Sequence, residues 1–349
     1  MPHLNLGIET TSTCQLGCKF CYNQHQMDCH QKIPMETLRE LLRQITSNSI
    51  HFRRITLTGG EPFTSMDTLM FILSEYKDVT DDIRINTNMQ KMTEDIADEI
   101  IKANRNAFCF SSLIATNKEA FDDITGVTGS FNTLKKSIKT ATSRGLHCAL
   151  SLIINKETFD HKSILQFVDL CREYNIQHAG VKKMRLPLSG SAENFSYVSK
   201  ILPSVEEYIK GIDYLLEECN KYNILVSCGE PVAMCHYPDD AKYSRLVHQC
   251  GVSNLASAVV STHGGVRPCP FLPLSYEMGN IFTDGFVAAI NNLETYFQNI
   301  LDNHECNGVC EHFNTSKCAG GCYVDTLAHG LKITDKAPFS FGVTKYVNL

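Results

Sequence analysis

The sequence predicts an α/β fold in which a parallel sheet is followed by a cysteine-rich C-terminal region. Strand-like and helix-like patterns alternate over about the first 190 residues, an order typical of parallel strands joined by crossover helices. Six of the sixteen cysteines lie within the last hundred residues. With 349 residues, 43% of them hydrophobic, the chain is long enough for one large domain and one smaller one.

Six segments have the pattern of strands, since short runs rich in apolar and β-branched residues end at glycine or polar residues. In chain order they are residues 4–9, 55–57, 83–87, 107–113, 147–154 and 179–186. Most are followed by a helical pattern. This order favours a single sheet covered by crossover helices.

Apolar residues at helical spacing predict the intervening helices. The first follows Pro34, a residue suited to the first turn, and its spacing is carried by Leu38, Leu41, Leu42 and Ile45. Others are predicted at about residues 66–76, 93–101, 131–143 and 163–173. A Ser-x-x-Glu capping box at Ser204 predicts a helix to about Tyr222, after a turn-rich linker at residues 187–191.

Three cysteines, Cys14, Cys18 and Cys21, follow the first strand with the spacing CX3CX2C, and an aromatic residue, Phe20, precedes the last of them. Three thiolates without a fourth suit a [4Fe–4S] cluster that keeps one iron open for a small molecule. A structural zinc site normally needs four ligands, usually in two pairs. The chain opens Met-Pro-His without the basic and apolar stretches of a secretory signal, so we expect a cytoplasmic protein and no disulfide framework.

A second motif, Thr-Gly-Gly-Glu-Pro at residues 58–62, ends the second predicted strand about forty residues later. Together with the cysteine triplet it resembles the radical S-adenosylmethionine (SAM) superfamily. The resemblance implies a partial (β/α)6 barrel over residues 1–190, with a [4Fe–4S] cluster whose open iron chelates SAM. It also implies that Phe20 lies near the adenine. The amino group of SAM would be held by the motif residues Gly59, Gly60, Glu61 and Pro62.

Two further SAM-binding positions are implied by shorter motifs. Asn88 ends a segment that resembles the family's Thr-Asn-Gly strand end, although Met89 replaces the glycine. Ser112 opens a segment similar to Ser-Leu-Asp-Gly, whose last two residues are replaced here. An Asp-Ile-Thr-Gly segment at residues 123–126 is a further pattern common in one branch of the family.

The C-terminal cysteines resemble the SPASM extension, which carries auxiliary iron–sulfur clusters in that branch. The resemblance assigns two sets of ligands: Cys250, Cys269 and Cys322 for one cluster, and Cys306, Cys310 and Cys318 for another. Each set lacks a fourth ligand. For the first cluster it would be Cys235 or an open iron facing substrate, and for the second Asp325, His329 or His312. Two alternatives stay open: a zinc ribbon formed by the last four cysteines, and Cys235 as a hydrogen donor to a product radical.

The same resemblance implies reductive cleavage of SAM to methionine and a 5′-deoxyadenosyl radical, which abstracts hydrogen from an unactivated carbon. The favoured substrate class is a peptide undergoing RiPP-type maturation, and the alternative is oxidation or epimerisation of a sugar or aminocyclitol. A sulfatase-maturing activity is less favoured, because Pro270 stands where that branch has an aspartate. Electrons would come from a low-potential flavodoxin or ferredoxin.

Charge and hydropathy argue against two other classes of partner. The net charge is −6 and no Lys/Arg-rich run occurs, so we expect no nucleic-acid partner. No run of eighteen apolar residues exists, so we expect no membrane span. The domains are expected to be the barrel at 1–190, a bridging helix and linker at 191–235, the auxiliary-cluster domain at 236–330, and a tail at 331–349.

Overall fold

A computed structural model describes residues 5–23, 30–228, 231–237, 243, 252 and 257–338 of the chain. These residues form one nine-stranded sheet in the order β7-β6-β5-β4-β3-β2-β1-β8-β9. The strands are β1 (Asn5–Thr11), β2 (Phe52–Gly59), β3 (Thr80–Asn86), β4 (Ala107–Leu113), β5 (Cys148–Ile154), β6 (His178–Lys183), β7 (Leu225–Cys228), β8 (Ser257–Val260) and β9 (Val266–Arg267). Eight strands run parallel, and β9 pairs antiparallel with β8. The predicted α/β fold with a parallel sheet is therefore confirmed.

Helices connect the strands and cover the sheet. They are α1 (Met35–Ser47), α2 (Met66–Glu75), α3 (Glu94–Ala103), α4 (Lys118–Thr125), α5 (Ser130–Ser143), α6 (His161–Glu173), α7 (Ala192–Ile201), α8 (Val205–Lys221), α9 (Phe286–Asp302), α10 (Glu311–Asn314) and α11 (Tyr323–Ala328). All five predicted crossover helices are present. The capping box at Ser204 forms both of its hydrogen bonds with Glu207, which fixes the start of α8.

The sheet continues past the barrel boundary that the sequence predicts at residue 190. On one side β7 extends it beyond β6, and on the other β8 pairs with β1. In register, Ile8 of β1 lies between Leu57 of β2 and Val260 of β8. The C-terminal region is thus joined to the N-terminal strand through backbone pairing, and the first strand lies inside the sheet.

The core lies between the sheet and its helices. The buried face of α1 carries Leu38, Leu41 and Ile45, in agreement with the predicted spacing. Four cysteines outside the proposed cluster sets are also buried there, as expected for core residues: Cys109, Cys148, Cys171 and Cys219. None of the helices in the described part of the chain is long and apolar enough to cross a membrane.

Candidate functional site

The loop at residues 12–23 leaves the C-terminal end of β1 and carries Cys14, Cys18 and Cys21, all half-buried. Burial raises the pKa of each thiol, that of Cys21 to about 11. The pKa of the Cys18 thiol is raised further by its neighbours Cys21 and Cys14. The three side chains therefore lie within electrostatic reach of one another. Iron that binds here would displace the thiol protons.

Donor chemistry agrees with an iron–sulfur cluster at this loop. The segment 12–23 contains three cysteines and no histidine, aspartate or glutamate that would compete as a ligand. In the described ranges, no three Cys, His, Asp or Glu side chains converge as the ligands of a single metal ion do. The fit therefore depends on three neighbouring thiols on one short loop, the donor set that such clusters use.

The Gly-Gly-Glu-Pro turn is hydrogen-bonded to the start of this loop, backbone to backbone. The Gly60 N–H donates to Thr11 O at 2.5 Å, and the Glu61 N–H donates to Thr13 O at 2.8 Å. A Cβ on Gly59 or Gly60 would overlap these same carbonyl groups, and Gly59 also has a φ of +107°. The two glycines are therefore required because two backbone segments pass in direct contact.

The carboxylate of Glu61 braces the end of β3. It is 1% exposed and accepts hydrogen bonds from Thr87 Oγ1 at 2.7 Å, Asn88 N at 2.7 Å and Phe63 N at 3.2 Å. Burial raises the pKa of Glu61 to about 7 even though these three donors favour the ionised form. In the described structure this side chain joins the glycine turn to the end of β3. Its contact with SAM stays a prediction.

Asn88 links the end of β3 to the cysteine loop. Its Nδ2 donates to Cys14 Sγ at 3.5 Å, and its Oδ1 accepts from Gln15 Nε2 at 2.8 Å. The following residue, Met89, has a φ of +63°, the left-handed conformation that a glycine adopts without strain. The departure from the family motif therefore keeps the backbone shape that the motif glycine would favour.

The C-terminal end of α4 holds the middle of the cysteine loop. Thr125 O accepts from Gly17 N, and Ile124 O accepts from Lys19 N, both at 3.0 Å. The Lys19 ammonium also pairs with Asp123 at 2.8 Å. The motif at 123–126 carries no task of its own in the sequence. In the structure this segment fixes the cysteine loop on both sides of Cys18.

The remaining predicted SAM contacts lie near the same end of the sheet. Phe20 is half-buried and packs against the core, and Pro62 begins a short 3-10 turn. Ser112 is near the C-terminal end of β4, where its hydroxyl accepts from Lys182 Nζ at 3.5 Å. These residues thus lie at or just after the C-terminal ends of parallel strands, and their contacts with SAM stay predictions.

Aromatic and cationic side chains flank the middle of the sheet below Ser112. The ring of Phe110 has the Arg84 guanidinium 5.0 Å and the Lys182 ammonium 4.9 Å from its centroid. Burial lowers the pKa of Arg84 to about 10. These groups offer a substrate an aromatic surface next to positive charge.

Two cysteines of the first predicted auxiliary set lie near β6. Cys269 and Cys322 are within electrostatic reach of each other and of Arg185, whereas Cys250 lies outside the described residues. Asp325 is also beside Cys322, and its carboxylate pairs with Lys183 at 2.9 Å and with Arg185 at 3.5 Å. Burial opposes its ionisation, but these two cations hold the pKa of Asp325 below its usual range.

The second predicted set lies on the α10 segment. Cys310 N donates to Cys306 O at 3.0 Å, and Cys318 N donates to His312 O at 3.0 Å, so two short turns bring the three cysteines together. Burial and the nearby Cys310 raise the pKa of Cys306 to about 11. Cys235, exposed on the 3-10 turn Met234–His236, is within electrostatic reach of Cys310 and Cys318.

A buried ion pair joins β1 to β9, and the sequence did not predict it. Arg267 is fully buried and its guanidinium pairs with the carboxylate of Glu9, itself 1% exposed. Nearby, Tyr22 places its hydroxyl 2.8 Å from Thr58 Oγ1 and its ring 4.5 Å from the ring of Phe271. No local pattern predicts these contacts, because the ion pair and the ring contact join residues more than two hundred positions apart and the hydroxyl contact joins residues 36 positions apart.

Comparisons with known proteins agree with this site. The family model described as the radical SAM superfamily matches residues 8–168, which contain all three loop cysteines and the Gly-Gly-Glu-Pro turn. The chain is 22% identical over 338 residues to the antilisterial bacteriocin subtilosin biosynthesis protein AlbA of Bacillus subtilis. That alignment covers 94% of this chain and 68% of AlbA.

Solved structures share the fold over nearly the whole chain. Streptococcus suis SuiB bound to its precursor peptide SuiA has a TM-score of 0.75 at 18% identity, covering 97% of this chain and 75% of SuiB. The enzyme anSMEcpe with bound AdoMet and a peptide has a TM-score of 0.67 at 17% identity, covering 93% of this chain and 90% of that one. The family match and this fold agree on one identification: residues 8–168 of the chain form a radical SAM domain, and the enzymes of that superfamily use SAM and an iron–sulfur cluster.

Proposed function

We propose that this protein is a SPASM-type radical SAM enzyme that matures a ribosomally made precursor peptide. The observation that carries the proposal is similarity along nearly the whole chain, through the cysteine-rich C-terminal region, to a bacteriocin biosynthesis protein. The fold shared with a relative that was crystallised with its precursor peptide supports the same substrate class. When bound, the cluster and SAM supply a 5′-deoxyadenosyl radical that abstracts hydrogen from an unactivated carbon.

The residues of the site have distinct tasks in this proposal. Cys14, Cys18 and Cys21 hold the cluster, and the missing fourth thiolate leaves one iron for SAM. Glu61 and Asn88 do not need to move for this, since their hydrogen bonds already fix the loop that carries Cys14. The backbone of the glycine turn adds further rigidity, which keeps reacting groups in position.

The barrel interior orients the peptide and keeps water out. Phe110, with Arg84 and Lys182 beside its ring, lies on the sheet face next to Ser112, close to where SAM is proposed to bind. A side chain held against this aromatic surface would present one carbon to the radical while stray hydrogen donors are excluded. The two cations favour a peptide segment that carries negative charge.

The C-terminal cysteines are proposed to hold auxiliary clusters. Cys269 and Cys322, together with Cys250, would bind one cluster near β6, and the segment 306–318 would bind another. An auxiliary cluster can accept the electron that an oxidised substrate releases, so it favours oxidative products such as cross-links. A low-potential flavodoxin or ferredoxin is proposed to reduce the N-terminal cluster.

The first test measures SAM cleavage without a peptide. Protein reconstituted anaerobically with iron and sulfide is incubated with SAM and dithionite, and 5′-deoxyadenosine is quantified by mass spectrometry. Changing Cys14, Cys18 and Cys21 together to alanine should abolish its release, whereas Cys171→Ala, a core thiol, should leave it intact. Release retained in the triple variant would refute the site.

The second test addresses the substrate. The enzyme is incubated with short peptides encoded beside its gene, and the products are analysed by tandem mass spectrometry in H2O and in D2O. Loss of two hydrogens, or uptake of one deuterium, in a single peptide would support maturation. Turnover of a sugar or aminocyclitol with no change in any peptide would overturn the proposed substrate class.

A further inference from the structure

Cys235 lies beside the second set of C-terminal cysteines, far along the chain from them. It is exposed on the 3-10 turn Met234–His236, about seventy residues before Cys306. The SPASM pattern that the sequence resembles ends with a last cysteine downstream, and this chain has no cysteine after Cys322. Cys306, Cys310 and Cys318 are three thiols, so a cluster with four thiolate ligands at this place takes one further cysteine.

The packing around Cys235 fixes its segment against the cysteine-bearing loops. A Cβ on Gly321, which has a φ of +100°, would meet the backbone nitrogen and the Cβ of Ala233 at 3.3 and 3.4 Å. On the other side, His236 Nε2 is 3.4 Å from Ala337 O, and the Ala337 N–H donates to Gly320 O at 2.8 Å. The segments 231–237, 320–322 and 337 thus form one packed unit.

Hydrogen bonds connect the segment beside Cys235 to the residue that precedes Cys306. The Lys336 N–H donates to Glu305 Oε1 at 2.7 Å, and the Glu305 N–H donates to Thr334 O at 3.0 Å. The segment 334–337, which contacts His236 through Ala337, is therefore held against the start of the second cysteine set. Partial desolvation raises the pKa of the Cys235 thiol most and Lys336 lowers it, but Cys318 and Cys310 also raise it, in agreement with this packing.

A buried histidine beside these cysteines provides a second, independent observation. His304 is 3% exposed, and its Nδ1 accepts the Cys306 N–H at 3.1 Å, so its proton belongs on Nε2. Among the described residues this buried Nε2 has no hydrogen-bond partner, and it lies against Gly320, between Cys318 and Cys322, where an added Cβ would overlap it. A buried N–H without a partner requires an acceptor. The sulfur atoms of a cluster accept such hydrogen bonds, which also tune its potential.

We propose that Cys235 is the fourth thiolate of a [4Fe–4S] cluster whose other ligands are Cys306, Cys310 and Cys318. The inference rests on the auxiliary clusters of the proposed function and assigns this one a ligand from upstream of the motif. Asp325, which the sequence offered for this place, is instead beside Cys322 and pairs with Lys183 and Arg185. With four thiolates this cluster has no open iron, so it transfers electrons and does not bind substrate.

The test compares iron content and EPR spectra of variants made in the Cys14→Ala, Cys18→Ala, Cys21→Ala background, which removes the SAM-binding cluster. In this background Cys235→Ala should lose the four-thiolate cluster or convert it on mild oxidation to a [3Fe–4S] form with its own EPR signal. Iron should fall by about one to four atoms per chain. Because Cys235 is exposed, its removal should leave the circular dichroism spectrum unchanged.

A matched control removes a thiol that lies elsewhere. Cys219→Ala removes a buried cysteine of α8 and should leave both the iron count and the spectrum as in the background protein. Unchanged iron and EPR in Cys235→Ala would overturn the ligand assignment. Cys235→Ala made in the otherwise unchanged enzyme provides a second check: loss of peptide product with a full iron count and an unaltered cluster spectrum would identify Cys235 as a hydrogen donor and also overturn the assignment.

A third variant distinguishes the role of Cys235 from the proposal that the C-terminal cysteines bind auxiliary clusters. Changing Cys306, Cys310 and Cys318 together should remove about four irons. If that triple variant keeps all its iron, or if the site contains zinc instead, the auxiliary-cluster assignment itself fails. If the triple variant loses iron and Cys235→Ala does not, only the role of Cys235 is refuted.

Discussion

Met89 shows how a single side chain can occupy a backbone position that favours glycine. Its φ of +63° costs a residue with a Cβ about 1–2 kcal/mol. The side chain is only 1% exposed, and burying a methionine is worth about 1.5–3 kcal/mol. Packing therefore offsets the backbone strain, and the strand end next to Asn88 keeps its shape without the motif glycine.

This balance predicts an inverted order of stability for two substitutions. Both Met89→Gly and Met89→Ala remove the buried side chain, but only alanine keeps the left-handed strain. Glycine removes the backbone strain, but it loses more conformational entropy on folding than alanine does. The net gain of the glycine variant is therefore smaller than the strain energy. We expect the alanine variant to be less stable than the glycine variant by about 1 kcal/mol, measured by urea unfolding. The usual order, with alanine the more stable, would show that the position is unstrained.

The turn between α4 and α5 is the element that holds the cysteine loop. Gly126 ends α4 with a φ of +72°, and a Cβ there would be 3.2 Å from Gly17 O. Gly129 begins α5 with a φ of +87°, but a Cβ there would have no atom within 4 Å. The two glycines have similar backbone conformations, and only one of them contacts the loop.

We expect Gly126→Ala and Gly129→Ala to lose similar stability, about 1 kcal/mol each from the left-handed conformation. Only Gly126→Ala should also lower iron incorporation and 5′-deoxyadenosine release, because its new methyl group presses on Gly17 between Cys14 and Cys18. Iron analysis and product quantification on matched preparations would check this. Equal loss of iron in both variants would show that the turn acts through stability alone.

Asp122 gives the same turn a pH dependence. Its carboxylate accepts from Gly129 N at 2.7 Å, Phe131 N at 2.9 Å and Ser130 Oγ at 3.0 Å. Burial opposes ionisation, but these donors together with Lys118 hold the pKa of Asp122 well below its ordinary value. The unfolded chain therefore binds the proton more readily, and stability is lost as the pH falls below about 4.

Asp122→Asn should remove this dependence. The amide has one acceptor oxygen in place of two, so we expect a loss of about 1–3 kcal/mol at pH 7. Below about pH 4 the difference from wild type should shrink. Urea unfolding of metal-free protein between pH 7 and pH 3 measures both quantities. A difference that stays constant over this range would show that the carboxylate is not ionised in the fold.

The sequence predicted the elements whose signals are local and missed those defined by distant partners. The spacing in α1 and the capping box of α8 identify those helices because each depends on residues within one or two turns. Strands β7 and β8 are four residues long, and their places beside β6 and β1 depend on pairing across the fold. Cys250 lies outside the described ranges, so its place in the first auxiliary cluster stays a prediction.

The candidate site shows the same division between local and distant signals. The cysteine triplet and the glycine turn were readable, since their spacing is fixed by chemistry. The contacts of Cys14 with Asn88 and of Gly17 with Thr125 were not, because they bring together segments separated by more than seventy residues. The placement of Cys235 beside Cys310 and Cys318 is another case of this kind.

At the scale of the whole molecule, two buried ion pairs join the N-terminal barrel strands to the C-terminal region. Glu9 of β1 pairs with Arg267 of β9, and Lys183 of β6 pairs with Asp325 of α11. All four side chains are almost completely buried, so a charge left without its partner would be costly. These pairs fix the C-terminal cysteines relative to the barrel.

The Glu9–Arg267 pair therefore predicts a strong asymmetry between single and double substitutions. Arg267→Met leaves the Glu9 carboxylate buried without its cation and should cost about 3–5 kcal/mol at pH 7, whereas adding Glu9→Leu should restore part of this loss. Burial raises the pKa of Glu9, and the guanidinium of Arg267 lowers it. Removing Arg267 should therefore raise the pKa of Glu9 further. The stability of the Arg267→Met variant should then fall as the pH rises, because the folded chain binds the proton more tightly than the unfolded chain. Arg172→Met, which breaks an exposed pair with Asp169, should cost less than about 1 kcal/mol. Denaturant unfolding of the three variants and the wild type measures these differences. If the double variant is no more stable than Arg267→Met, the contact between β1 and β9 depends on the packing of the arginine side chain and not on its charge.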